Sequence, residues 1–597
     1  MIGRRRLLQA GGLTAGMFAI EAGPAASAGA SPVAGGTSAA AGSVGCGGPI
    51  KSASILPVDD CDGMDRILAK AAHIVPRPSQ VAWQQREVTA FTHFGMNTFT
   101  NREWGSGMED ETRFAPTLVD VEQWMRTYKA MGARQAMLTA KHHDGFVLYP
   151  SRYTPHSVAA SAWDGDLLGS YVTAARAAGL KVGVYLSPAD GAELPHEWFA
   201  NTYVPAILAK PADQRSTNER ATIEDLPGAP RGLGRYGNGS AIVRRTIPTL
   251  VDGDDRADRV AQGKLPTFEV EVDDYNAYYL NQVYEIFTEY GPIDEFWLDG
   301  ANPWSGSGIT EKYDFTLWFK LIHELSPETV TFAGPQGTRW VGNEDGSART
   351  TEWSVVADSQ DPATTHGEGI LIGGAQANDL GSRLVLADPS VRYLQWFPAE
   401  ADVSLRPGWF YHPTESPKTA SQLVSIYQHS VGRNALLLLN VPPAPDGRIA
   451  TGDVASLTSF AASVRETYAT NLLAGNARHS DDKAFTSLTD DRLDTVWEPP
   501  DGSVVGTVTL DLARSVTFDQ IRLGEDITRG QLVEQFSVDT WDGAAWVRAV
   551  AGTTIGYRRI LVLAAPLTTD RLRVHILAAR STPHLASVGL FRTTPPA

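Results

Sequence analysis

Between about residues 76 and 445, short apolar runs of strand length alternate with amphipathic stretches of helix length, and this alternation restricts the fold more than any other feature. Strands are predicted over 88–99, 134–142, 181–187, 293–299, 329–334, 350–356, 391–397 and 435–441. Helices are predicted over 119–131, 167–179, 275–290, 311–325 and 418–432. A helix between two strands carries the chain back along the sheet, so the strands run parallel and are covered on both faces. About eight such strands favour an α/β fold of the (β/α)8-type barrel, spanning 76–448. An open doubly wound sheet is the rival, but no GxGxxG follows an early strand. Residues 205–272 break the alternation, being rich in charge, Gly and Pro, and read as a long insertion draped near the barrel mouth.

The two ends of the chain have a different texture. Residues 1–28 place Arg4, Arg5 and Arg6 before a modest apolar stretch and end in Ala26-Ser27-Ala28, a small-x-small cleavage site. This predicts a twin-arginine type export signal and a secreted, extracellular protein. The stretch is too short and too rich in Gly to span a bilayer, and no other segment reaches about 18 consecutive apolar residues. Residues 29–75 read as a flexible leader that holds the only two cysteines, Cys46 and Cys61, which in an oxidising compartment can close one small loop or stay unpaired. Without a CxxC or a Cys/His cluster, a structural zinc site has no basis. Residues 449–469 read as a connecting helix. From 470 to 597 short strands alternate with turns and show no helical period, which predicts an all-β, jelly-roll type sandwich. The net charge of −17 denies the chain a nucleic-acid binder's footprint and suits a neutral ligand.

In a barrel the chemistry lies at the C-terminal ends of the strands. Here those ends carry His93 with Glu103 and Trp104, then His142 and His143 before Asp144-Gly145, then Tyr185, then Trp297 and Asp299 before Gly300. Later units bring Trp340, Glu344, Glu352, Trp353, Trp396 and Glu400. Each alone has a bland explanation, but buried polar groups cost stability, so their recurrence at successive strand ends points to a site. Two carboxylates among histidines and indoles suit glycoside hydrolysis, with one attacking the anomeric carbon and the other donating a proton to the leaving oxygen. Metal catalysis by His93, His142, His143 and Asp299 is the competitor. Adjacent residues on a strand face opposite ways, so His142 and His143 should not share one coordination sphere without a bulge, and neither metal nor cofactor is expected.

The segments FTHFGMNTFTNREWGSG, LTAKHHDGFVLYPS, GVYLSP and YNAYYLNQVYEIFTEYGPIDEFWLDG resemble the α-L-fucosidases of glycoside hydrolase family 29 over about residues 80–445. RWVGNEDG and PAEADVSLRPGWFYH resemble the subgroup acting on α-1,3/1,4-linked fucose in branched glycans. The resemblance implies an exo-acting retaining enzyme on fucosylated oligosaccharides or glycoconjugates, with Asp299 as nucleophile and Trp297 as a pocket residue. It implies that His93, Glu103, Trp104, His142, His143 and Tyr185 hold the sugar; Trp353 is a further substrate-binding candidate. Glu344 is assigned as acid/base, with Glu352 and Glu400 as alternatives. A glycan-binding barrel without catalysis, and a hydrolase of another deoxy-sugar or a galactoside, are the rival readings. Residues 470–597 resemble the discoidin-like, coagulation-factor C-type sandwich of carbohydrate-binding module family 32, which implies either glycan targeting or a purely stabilising role.

Overall fold

The computed structural model describes residues 47–596 except 164, 194–203, 216, 226–240, 303–310, 366 and 479–482. The export signal, Cys46 and residues 226–240 of the insertion therefore lie outside the described residues. Eight strands build the central sheet: β1 (Val88–Thr92), β2 (Gln135–Lys141), β3 (Lys181–Leu186), β4 (Glu295–Trp297), β5 (Val330–Thr331), β6 (Arg339–Trp340), β7 (Ala399–Ser404) and β8 (Ala435–Asn440). Every ladder is parallel, and β8 pairs with β1, so the order in space follows the order in the chain. Between β5 and β6 the sheet closes through a single parallel bridge, Phe332 to Thr338.

Helices Val121–Ala130 (α1), Leu167–Ala177 (α2), Asp274–Glu285 (α3), Phe315–Leu325 (α4), Ala420–His429 (α5) and Thr451–Tyr468 (α6) wrap the strands. Local sequence starts and stops them. The side chains of Asp120, Asp166, Asp273 and Asp314 accept from backbone N–H groups of the first turns of α1 to α4, satisfying donors that have no partner within the helix. Thr419 and Gln422 form a capping box at α5. Past the C-terminus of α2, Gly179 takes φ +74° and lets the chain turn at once into β3. The inner faces of the helices bury Trp124, Tyr171, Leu280 and Trp318 against outward residues of the strands such as Ala136, Val182 and Phe296.

Two predicted strands sit elsewhere. Segments 350–356 and 391–397 contribute Val355–Asp358 and Tyr393–Trp396 to a separate three-stranded antiparallel sheet with Ile55–Pro57. Their apolar character serves a satellite core of Ala71, Leu394 and Trp396. The barrel positions belong instead to Arg339–Trp340 and to AEADVS at 399–404. The strand at 399–404 turns Glu400 and Asp402 inward, and Arg339–Trp340 is only two residues long, so neither has an apolar run. The predicted strand 88–99 ends at Thr92, and Met96–Thr100 is a short helix. The barrel interior holds Phe91, Met137, Trp297, Phe332 and Leu438, and Trp83 plugs its N-terminal end.

The described part of 205–272 contains helices Val204–Ala209 and Thr217–Asp225 and a hairpin of Val243–Ile247 with Phe268–Val272. Beyond α6, strands β9 (Gly506–Glu525), β10 (Val533–Trp541), β11 (Trp546–Gly552), β12 (Arg559–Ala579) and β13 (Leu585–Phe591) form one antiparallel sheet in the order β11-β10-β12-β9-β13. The long strands β9 and β12 break register near Asp511 and Phe518, which lets the sheet fold over its own core. Cys61 is disulfide-bonded. Among the described residues no helix is long and apolar enough to cross a membrane.

Candidate active site

Asp299 follows β4 by two residues, at the C-terminal rim of the barrel. Tyr185 on β3 donates its hydroxyl to Asp299 Oδ2 at 2.9 Å, and the Ala301 N–H donates to Oδ1 at 2.8 Å. The carboxylate is thus held from both sides while its side chain stays 15% exposed. His143 Nε2 faces Oδ2 at 3.8 Å. The Ser187 hydroxyl spends its one proton on the Ala189 carbonyl at 2.8 Å, so it accepts from His143 Nδ1 at 2.7 Å. That tautomer leaves Nε2 as a lone pair opposite a carboxylate oxygen, so the ring can only accept on this side.

His93 is fixed by similar proton counting. The Asn440 amide donates to Ser404 Oγ at 2.8 Å and to the Trp409 carbonyl at 2.7 Å, which turns its Oδ1 toward His93 Nδ1 at 2.9 Å. His93 Nε2 is then an acceptor. Burial pushes His93 down to about 3 and lowers His142 and His143 as well, with mutual repulsion among the rings adding to His93 and His142. At neutral pH all three are uncharged imidazoles, suited to hydroxyls rather than to anions.

His142 and His143 both face this site, contrary to the expected alternation. Their ring centroids are 4.2 Å apart, and His142 lies 5.5 Å from His93. The pairing of β2 with β3 shifts register between Thr139 and Lys141, and the strand ends at Lys141, so neither histidine is bound to strand alternation. Among the described residues no group of three or more His, Cys, Asp or Glu is disposed to hold a metal ion.

The loop after β1 supplies Glu103 and Trp104. The Trp104 ring lies 4.5 Å from that of His143. Glu103 accepts from the backbone N–H of Trp409 at 2.7 Å and of Phe410 at 3.2 Å, and meets His412 Nε2 at 2.6 Å. The hydrogen bond to Glu103 raises His412 above the usual imidazole range. Glu103 therefore clamps the segment that carries Trp409. The same loop is braced from the insertion, because Asp225 accepts from buried Arg102 at 2.6 Å and from Ser106 at 2.7 Å.

Glu344, on the loop after β6, lies near enough to Asp299 to feel its charge. Crowding by the walls of the cleft raises its proton affinity, and the charge of Asp299 raises it further, while a hydrogen bond with the Trp409 side chain opposes both. Asp402 on β7 is buried, accepts from the Trp340 indole at 2.8 Å, and is raised well above the usual carboxylate range by burial and then by the charges of Glu344 and Asp299. The alternatives to Glu344 are committed elsewhere. Glu352 is buried in an ion pair with Arg339 and accepts from Arg349 at 3.3 Å. Glu400 sits one inward layer deeper than Asp402, accepts from Trp297 Nε1 at 3.2 Å and is held protonated by burial and by Glu295. Trp297 itself is 5% exposed and stacks on Phe332 at 3.7 Å, so it forms the floor of the site.

Trp353 is not brought to this cluster. Its ring packs beneath Arg580 of the C-terminal sheet at 3.8 Å, and it is 2% exposed. Sequence reasoning did not single out Trp409, Asp402 or Asn440. Trp409 was within reach, because it stands in the RPGWFYH run, and its ring lies 5.1 Å from that of His93.

The alpha-L-fucosidase family model matches residues 69–466. Alpha-L-fucosidase 1 of Arabidopsis thaliana is 33% identical over 544 residues, covering 87% of this chain and 88% of that protein. A Bacteroides ovatus chain of known structure is 33% identical with a TM-score of 0.71, covering 92% of this chain and 79% of that one. The GH29 fucosidase E1_10125 of Ruminococcus gnavus, solved in complex with fucose, is 27% identical with a TM-score of 0.65, covering 87% and 95% of the two chains. A match that spans two thirds of the chain, with relatives aligned over nearly their whole length, means that the chain belongs to the alpha-L-fucosidases, a family of glycoside hydrolases.

Proposed function

We propose that the enzyme is an exo-acting retaining α-L-fucosidase in which Asp299 is the nucleophile and Glu344 the acid/base, and that it acts on α-1,3/1,4-linked fucose at the termini of branched glycans. One observation carries this reading: a carboxylate held at a barrel mouth by Tyr185 and Ala301, facing a glutamate whose proton affinity its own charge raises. In the first step an Asp299 oxygen bonds to the anomeric carbon as the glycosidic C–O bond breaks, and Glu344 gives its proton to the departing oxygen. In the second, the Glu344 carboxylate takes a proton from water, the water oxygen bonds to the anomeric carbon, and Asp299 leaves as a carboxylate. Two inversions return the original configuration. The neutral histidines accept hydroxyl protons of the sugar, and the indoles of Trp104 and Trp409 supply apolar walls. The disulfide at Cys61 accords with export to an oxidising compartment.

Asp299→Gly tests the nucleophile: turnover should vanish with the fold intact, and azide should restore it with inverted product. Ordinary turnover by that variant refutes the assignment. Linkage preference is tested with Lewis-type trisaccharides, 2′-fucosyllactose and an aryl fucoside; strong activity on the last two overturns the subgroup reading.

A further inference from the structure

Behind Asp299 lies a buried acid that the two-step reaction does not use. Glu311 is 4% exposed. Its backbone is tied to the segment following Asp299 in both directions: its N–H donates to Asn302 Oδ1 at 3.3 Å, and its carbonyl accepts from Asn302 Nδ2 at 2.9 Å. Its carboxyl group hydrogen-bonds the Tyr313 hydroxyl. That hydroxyl lies 3.1 Å from the Ala301 carbonyl, and the Ala301 N–H is the donor to Asp299 Oδ1. Four groups thus run in line from Glu311 to the attacking carboxylate.

Counting protons decides how this line works. The Tyr313 hydroxyl has one hydrogen, and a carbonyl only accepts. If Glu311 is a carboxylate it claims that hydrogen, and the Ala301 carbonyl is left facing an oxygen lone pair. If Glu311 is a carboxylic acid, its O–H donates to the Tyr313 oxygen, and Tyr313 donates to Ala301. Only the second state satisfies every group. We propose that Glu311, as a neutral acid, is a positioning residue that fixes the Asp299 carboxylate through Tyr313 and the backbone on either side of the Ala301 Cα; this rests on Asp299 being the nucleophile. The surroundings favour the neutral form. Burial pushes Glu311 up to about 8, and the charge of Asp190 adds to this, against opposition from Tyr313 and Lys141. Lys141 on β2 is itself neutralised by Asp190 at 3.0 Å. From α3, the Tyr275 phenol faces Glu311 and is itself raised by burial and by that glutamate. From the rim of β4, the charge of Asp299 acts on Tyr313. The proton is therefore kept at neutral pH and lost in mild alkali.

The test is the pH profile of kcat from pH 6 to 10 on an aryl fucoside, whose leaving group needs no proton from Glu344, for the wild-type enzyme, Glu311→Gln, Glu311→Leu and Tyr313→Phe, with thermal unfolding as a check on folding. The wild type should lose activity through an alkaline limb near pH 8. Glu311→Gln, whose amide N–H replaces the acid proton and does not titrate, should keep kcat within a few-fold at pH 7 and lose that limb. Glu311→Leu and Tyr313→Phe should lower kcat by roughly 10–100-fold with little change in KM, as expected for a displaced reacting group. In an Asp299→Gly background, the azide-rescued rate should be indifferent to Glu311→Leu, because azide needs no held carboxylate. A wild-type kcat in Tyr313→Phe, an alkaline limb that survives in Glu311→Gln, or an azide-rescued rate that falls with Glu311→Leu overturns the relay. If Asp299→Gly itself turns over normally, the nucleophile reading has failed instead, and the two failures are distinguishable.

Discussion

A single methyl group placed at Gly408 should disable the site from outside it. A Cβ built there lies 2.3 Å from Glu103 Oε1 and 3.2 Å from the His412 ring, whereas ordinary contact needs about 3.5 Å. Gly408 does not have a positive φ, so the demand for glycine at this position is one of space and not of backbone strain. Relief requires the Glu103 carboxylate to move by about 1 Å. Its bonds to Trp409 N, Phe410 N and His412 Nε2, at 2.7, 3.2 and 2.6 Å, do not survive that displacement together. Hydrogen bonds to a charged group contribute about 1.5–3 kcal/mol each. The Glu103 side chain is 30% exposed, so water replaces part of the loss, and a net figure of about 2–3 kcal/mol is reasonable. If that energy orders Trp409 against Glu344 and His93, Gly408→Ala should lower kcat/KM by roughly 30–160-fold. Steady-state kinetics on an aryl fucoside, paired with a thermal melt, measures this. Glu103→Asp in the same chain shortens the clashing side chain and should recover part of the loss. A Gly408→Ala enzyme with wild-type kcat/KM would show that the clamp does not position the site. A deficit shared equally by stability and activity would show the same.

Other perturbations separate structural from catalytic carboxylates. Glu344→Gln should leave the melting temperature near wild type and lower kcat most on natural glycosides, least on an aryl fucoside that departs without a proton. Glu352→Gln should do the reverse, costing about 3–5 kcal/mol because Arg339 is left buried and unpaired, while the folded fraction retains its kcat. Trp353→Phe should lower the melting temperature without moving KM, since the ring supports Arg580 and not the site; a raised KM would return Trp353 to the pocket. Stability should decline from pH 7 to pH 9. Glu311 keeps, up to about 8, a proton that the unfolded chain has already released, and burial also raises Asp358 and Asp402 well above the usual carboxylate range, so the unfolded state binds fewer protons there. Below about pH 6.5 the lowered His93 and His323 act in the opposite sense, so the decline should be steeper above pH 6.5, where only the acids still contribute. A melting temperature that rises steadily to pH 9 would contradict the assignment.

How far the sequence could be read depended on where each group's partners lie. Helices α1 to α5 were legible because caps and periodicity sit within a few residues of one another. Strands β6 and β7 were not, because AEADVS alternates small outward residues with Glu400 and Asp402 turned inward, and that pattern has no apolar run to mark it. The apolar runs at 350–356 and 391–397 were true strands of another sheet, since hydrophobicity reports burial and not the neighbour that provides it. Site residues at the strand ends were legible from position alone. Asn440 and Trp409 were not, since their value lies in contacts such as Glu103 to His412, made across 309 positions of chain.

The choice among three glutamates shows why chemistry at this site is a property of the fold. In sequence, Glu344, Glu352 and Glu400 are indistinguishable, each near an aromatic residue and downstream of Asp299. Glu352 is paired with two guanidinium groups, so its oxygens are already committed. Glu400 holds a proton, but beneath the indole of Trp297 and against Glu295, where no leaving oxygen can reach it. Glu344 combines an open approach with a raised proton affinity caused in part by Asp299 itself. That dependence matters for the proposed double displacement: were Asp299 to become an ester, its charge would disappear, the proton affinity of Glu344 would fall, and the acid of the first step would become a carboxylate free to act as base in the second.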